Sequence, residues 1–121
     1  MNSRKLDEPT NEKKELISLP AKLFEHAQIR SNNVAIRHKK FGIWREFTWG
    51  EYFDIVKSVS FGLYELGVRE GDKVAIHSEN RPEWVFADLG AQTLGSVSVG
   101  IYPTSPAAEV EYLLSHSEAS V

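Results

Sequence analysis

From residue 72 onward the chain alternates short apolar runs with stretches of helical spacing, and that order narrows the fold more than any other feature. Val74-Ala75-Ile76 is a continuous apolar run, the pattern of a strand covered on both faces. A polar connection from His77 to Arg81 leads to Pro82, just inside a helix that is apolar almost all round through Trp84, Phe86, Leu89 and Leu94 and so should be buried on most sides. Gly90 in that helix suits close approach to a sheet, and Gly95 ends it. Val97, Val99 and Ile101 then alternate with Ser96, Ser98 and Gly100 as a second strand. Ser105 as cap and Pro106 at the first position open a further helix, with Ala107, Val110, Leu113 and Leu114 as its inner stripe. A new strand is due at Ala119-Ser120-Val121. Strands separated by helices become parallel neighbours joined by right-handed crossovers, so the fold class is α/β. A parallel sheet is covered on both faces and needs more strands than these residues supply.

The first half of the chain adds a hairpin and two helices. Residues 1–17 are charged, contain Pro9 and have no period, and are expected to form a mobile arm ahead of a body over residues 18–121. Ser18 caps a short helix with Pro20 in its first turn and Leu19, Leu23, Phe24 and Ala27 on one face. Val34, Ile36 and His38 alternate with Ala35, Arg37 and Lys39; Ile43 to Thr48 return after a glycine-assisted turn at Lys40-Phe41-Gly42. Thr48 and Glu51 have capping-box spacing. Tyr52, Ile55, Val56, Val59, Leu63 and Leu66 then mark an amphipathic helix, with Gly67 at the left-handed terminating position.

Composition removes several function classes. Seventeen acidic against fourteen basic residues leave a formal charge of −3, which offers no general attraction to a phosphate backbone, so nucleic acid is not an expected partner. Cysteine is absent, and with it disulfides, thiolate nucleophiles and thiolate metal sites. No apolar run approaches the roughly 20 residues of a membrane span, and the charged start lacks the apolar core of a secretory signal, so the cytoplasm is the expected compartment. The four histidines, His26, His38, His77 and His116, have no i, i+4 partner, so no metal site is expected. Neither G-x-G-x-x-G nor G-x-x-x-x-G-K-[ST] occurs. His77 keeps a place among the candidates because it ends a predicted parallel strand, where open α/β sheets bind ligands. Arg37, His38, Lys39 and Lys40 at the hairpin tip read first as a solvated turn; the sharper reading is contact with an anionic ligand or a membrane surface.

Several stretches taken together are more specific than any of these motifs. They are Gly67-Val68-Arg69-Glu70-Gly71-Asp72-Lys73-Val74-Ala75-Ile76, Ser78-Glu79-Asn80-Arg81-Pro82-Glu83-Trp84 and the run from Gly95 through Tyr102-Pro103-Thr104 to Pro106. With the hairpin segment from Gly42 to Trp49, they closely resemble the N-terminal part of AMP-forming acyl-CoA synthetases, especially the long-chain fatty-acid ligases. The resemblance runs from about Leu16 to Val121.

The resemblance implies a two-step ligase. A carboxylate is a poor electrophile, so the family joins the acid to AMP from ATP, with Mg²⁺ and loss of pyrophosphate. The CoA thiol then attacks the mixed anhydride and AMP leaves. ATP, Mg²⁺ and CoA are thus expected for the parent enzyme, and none is expected to bind this segment alone. The family's Ser/Thr/Gly-rich phosphate loop with its lysine, its adenine- and ribose-binding region and its mobile C-terminal domain have no counterpart here, so no catalytic residue carries over. The chain is expected to be an inactive N-terminal fragment with an open strand edge and an exposed helix at residues 84–94. Tyr102, Pro103 and Thr104, leaving the end of a strand, are expected to face the CoA or acyl side of the cleft. Two alternatives stand beside a fatty acid: the same superfamily acting on acetate, an aromatic acid or an amino acid, and a free-standing flavodoxin-like binding module.

Overall fold

The computed structural model describes residues 17–121, so all of the expected arm except Ile17 lies outside the described residues. The described chain runs α1 (Leu19–Ile29), β1 (Val34–Lys40), β2 (Ile43–Thr48), α2 (Trp49–Glu65), β3 (Lys73–His77), α3 (Pro82–Thr93), β4 (Val97–Ile101) and α4 (Ala107–Ser117). It is a mixed α/β fold in which β1 and β2 form an antiparallel hairpin and β3 and β4 a parallel pair.

Local chemistry accounts for most boundaries. The Ala21 N–H donates to Ser18 Oγ at 3.2 Å at the start of α1. At α2 both halves of the capping box are made: the Glu51 N–H donates to Thr48 Oγ1 (3.2 Å) and the Thr48 N–H donates to Glu51 Oε2 (2.9 Å). Gly67 ends that region with φ +98°, a conformation open to glycine and strained for other residues. The hairpin turn has positive φ at both central residues, Phe41 (51°) and Gly42 (77°), the pattern whose twist matches two paired strands.

Four expectations are corrected. The hairpin register shifts between Val34 and Ile36, so Ala35 and Ile36 both pack toward the core where strict alternation would send only one. The α4 cap is Pro106 rather than Ser105, with no side-chain hydrogen bond, because the extended φ/ψ of Pro106 (−61°, 155°) holds it outside the helix while its carbonyl accepts the first N–H groups. The α4 stripe is also only partly covered: Val110 and Leu113 are half-buried, whereas Ala107 and Leu114 are exposed. Finally, α3 is buried on most sides, as its all-round apolar pattern implies, and lacks the exposure expected of it in a fragment. Phe86, Leu89, Gly90 and Ala91 are buried, because α1, α2 and the base of the hairpin cover the face turned away from β3 and β4. Gly90 accordingly meets a helix, not the sheet: a Cβ built there would stand 2.6 Å from Val59 Cγ1 of α2.

Two apolar clusters hold these elements. Leu23, Tyr52, Val56, Phe86 and Leu89 join α1, α2 and α3, with Phe47 from the hairpin packed against them. Val68, Val74 and Ala91 join the α2–β3 connection, β3 and α3. Beyond α4, the Ser120 N–H donates to the Lys73 carbonyl and the Ala75 N–H to the Val121 carbonyl, both at 2.8 Å. The tail thus lies along the β3 edge away from β4, where a new strand was expected.

Tyr52 makes the first cluster sensitive to alkali. Burial first, and the charge of Asp88 second, push its phenol up to about 12. The unfolded phenol ionises near 10. Above about pH 10 the unfolded chain has therefore lost a proton that the folded chain still holds, so stability falls as pH rises from about 10 toward 12. The slope is at most about 1.4 kcal/mol per pH unit for one group. Urea midpoints measured across this range should fall for the natural chain, and Tyr52→Phe should remove this component. Identical pH profiles for the two chains would show that Tyr52 makes no such contribution.

Candidate functional site

Strands β3 and β4 are in parallel register from Lys73↔Val97 to His77↔Ile101, so their carboxyl ends finish side by side. Chain leaves both ends as loops, and a cleft of about 480 Å³ opens there, lined by Ser78, Glu79, Asn80, Trp84, Gly100, Ile101, Tyr102 and Pro103. Tyr102 at its mouth is 80% exposed, while Ile101 beneath it is buried. The Ser78 Oγ donates to the Glu79 carbonyl at 3.0 Å, which engages the hydroxyl in the loop's own backbone. A Cβ built on Gly100 would touch the Trp84 ring at 3.4 Å, so the glycine leaves the indole its place in the cleft wall.

The residues singled out from the sequence divide between two hollows. Tyr102 and Pro103 share this cleft. His77 does not: it lines a shallower hollow with Ser105, Val110, Glu111 and Leu114 of the α4 side. The split falls where β3 ends: His77, its last residue, lines the hollow on the α4 side, and Ser78, in the connection that follows, lines the cleft. Thr104 is exposed and lines neither hollow. Arg81 lies near Glu83 (Nε–Oε2 3.8 Å) with both side chains half exposed. Sequence reasoning placed Trp84 in the core of α3 and did not assign it to the cleft. The available signal was its position at the end of the Ser78–Trp84 stretch, beside a strand terminus.

The chemistry this cleft offers is shape and apolar contact with a few polar groups. Among the described residues no group of three or more His, Asp or Glu side chains converges to hold a metal ion. The two hollows also contain no glycine-rich turn that presents several free N–H groups to a triphosphate. The lining of these two hollows therefore does not fit a triphosphate.

Comparison with known proteins identifies the fold's setting. The family described as AMP-binding enzyme matches residues 23–121. The chain belongs to the AMP-binding enzyme family. Long-chain-fatty-acid–CoA ligase FadD15 of Mycobacterium bovis is 36% identical over 104 residues, which cover 86% of this chain and 17% of that protein. Long-chain-fatty-acid–CoA ligase heimdall of Drosophila melanogaster is 40% identical over 78 residues, 64% of this chain and 12% of that protein. The N-terminal subdomain of Klebsiella oxytoca NpsA, solved with anthranilyl-AMSN, superposes with a TM-score of 0.78 at 26% identity, covering 87% of this chain and 27% of that one. O-succinylbenzoate coenzyme A synthetase of Bacillus subtilis, solved with AMP, gives 0.72 at 27% identity, covering 80% and 24%. This AMP-binding enzyme chain thus spans about a sixth of the length of its FadD15 relative. Its hairpin, helices and parallel strand pair are those of the N-terminal subdomain of adenylate-forming enzymes, which replaces the flavodoxin-like module as an account of the fold.

Proposed function

We propose that residues 18–121 form the outer layer of the N-terminal domain of an ATP-dependent fatty-acid–CoA ligase, which joins the acid to AMP and then transfers the acyl group to CoA. The observation that supports the fatty acid is the 36% identity to FadD15 across 86% of the chain. In this reading the parent enzyme uses ATP, Mg²⁺ and CoA in the cytoplasm, and the 121 residues alone are inactive because the phosphates have no loop to rest on. Tyr102 and Pro103 form a cleft wall on the acyl or CoA side, with Thr104 exposed beyond the lining and His77 behind it on the α4 face. An aromatic acid is the second reading, supported by the anthranilyl-AMSN complex of the NpsA subdomain.

A segment exchange tests this. Residues 18–121 replace the matched segment of the Mycobacterium bovis ligase, and acyl-CoA formation from palmitate, acetate and anthranilate is measured. The chimera is expected to use palmitate within about tenfold of the natural rate, a barrier change of about 1.4 kcal/mol. The 121-residue chain alone is expected to give no palmitate-dependent ATP–pyrophosphate exchange. Exchange by the chain alone, or a folded chimera that handles only anthranilate or acetate, overturns the proposal.

A further inference from the structure

The hairpin tip carries large side chains that the fold does not cover. Phe41 is 92% exposed, Ile43 68% and Trp44 61%, all within the turn and its first rungs. Their cross-strand partners are lysines: Lys40 stands opposite Ile43 and Lys39 opposite Trp44. The Lys39 Nζ lies 5.7 Å from the Trp44 ring and the Lys40 Nζ 5.7 Å from the Phe41 ring. Arg37 and Arg45 continue the basic collar, and the one carboxylate in the two strands, Glu46, is held by Arg37 at 3.1 Å. This cationic tip belongs to a chain whose net charge is −3.

Phe41 is also in the wrong conformation for its type. Its φ of 51° lies in the left-handed region, which suits asparagine or glycine and is unusual for a bulky residue. Being exposed, the ring recovers none of that cost in packing within the chain. The hairpin base, in contrast, is fixed: Phe47 meets the Phe86 ring edge-on at 5.3 Å. The tip therefore projects aromatic and aliphatic groups from a firmly seated stalk.

We infer that the β1–β2 hairpin tip docks on an anionic lipid surface, with Phe41, Ile43 and Trp44 entering the headgroup boundary and Lys39, Lys40 and Arg45 meeting lipid phosphates. Exposed aromatics beside lysines whose stems are apolar match the interface between headgroups and hydrocarbon. The positive charge complements an anionic leaflet. Beneath the tip lies a hollow of about 410 Å³ whose lining includes His38, Lys40, Arg45 and Arg81 together with Glu79 and Glu83, more basic than acidic and with room for a headgroup. No helix among the described residues is long and apolar enough to cross a membrane, and the contact inferred is peripheral. It rests on the hairpin alone and is independent of the acid the enzyme uses.

Co-sedimentation of the 121-residue chain with phosphatidylcholine vesicles, with and without phosphatidylglycerol, tests the inference. Binding is expected to the anionic vesicles, to weaken with added salt, and to be at least about tenfold poorer on phosphatidylcholine alone. Phe41→Asn, which accepts the positive φ, should lower anionic-vesicle binding by about tenfold. Lys39→Gln and Lys40→Gln should each lower it by about fivefold. Tyr112→Ser, at an exposed site on α4, should leave it unchanged. Circular dichroism and the urea midpoint establish that each variant is folded. A folded natural chain that ignores phosphatidylglycerol vesicles, as it would if the tip met a protein instead, overturns the inference. So does binding unaltered by Phe41→Asn.

Discussion

Replacing Phe86 with alanine is expected to cost about 3–5 kcal/mol of folding stability, the range for emptying an aromatic site in a packed core. Phe86 is 6% exposed and is where four elements meet. Its ring lies 5.3 Å from Phe47 of the hairpin and 5.6 Å from Tyr52 of α2, while Leu23 of α1 and Leu89 of α3 complete the cluster. Truncation removes apolar burial and two aromatic contacts together, and leaves a void bordered by rigid neighbours that can close it only in part. The urea midpoint should fall with an unchanged slope. The exposed ring of Phe24, whose contact is Phe53 at 5.4 Å, provides the contrast: Phe24→Ala should cost well under half as much. A Phe86→Ala loss below about 1 kcal/mol would show that α3 is not the hub of the cluster.

Gly90→Leu is expected to destabilise the chain by about 3 kcal/mol, for the opposite reason. Here the site has no room. A Cβ would lie 2.6 Å from Val59 Cγ1, 3.1 Å from Val59 Cβ and 3.4 Å from the Ser60 nitrogen. Val59 is β-branched and stiff at χ1, so it cannot swing aside freely, and the backbone behind it belongs to α2. The buried Ser60, whose hydroxyl donates to the Lys57 carbonyl at 2.8 Å, is the small residue across the crossing. Gly90→Ala is the finer measurement. Alanine gains up to about 1 kcal/mol of helix propensity over glycine, and the clash with Val59 should outweigh it. Combining Gly90→Ala with Val59→Ala should then recover stability relative to the sum of the single changes, a coupling read from a double-mutant cycle in urea. Strict additivity would place the obstruction elsewhere.

These two positions also show where sequence reasoning stops. That Gly90 permits close approach follows from its missing side chain, but nothing local says what approaches. The helix it interrupts is apolar almost all round, so its pattern names no preferred face. The same ambiguity concealed Trp84: a tryptophan in such a helix reads as core, and only the end of β4 beside it makes part of that core a cleft wall. His77 and Tyr102 both sit at strand ends and were legible as candidates for that reason. Their division between two hollows follows from where α3 and α4 pack beside the strand ends, which spacing along the chain does not show.

The residues by themselves determined what depends on neighbours in sequence. The capping box at Thr48 and Glu51, the terminating Gly67, the glycine-assisted hairpin turn and the strand–helix–strand order are written in spacings of a few residues, and short-range hydrogen bonds and φ preferences enforce them. Family membership was legible for a related reason, since those stretches stand in the same order as in the fatty-acid ligases. Only the tertiary structure decided which apolar surfaces are spent. It enclosed α3 between α2 and the strands, half-covered the α4 stripe, and left Phe41 and Trp44 outside. Burial depends on contacts between elements far apart in the chain, and an apolar side chain carries the same hydrophobic drive whether or not a partner reaches it.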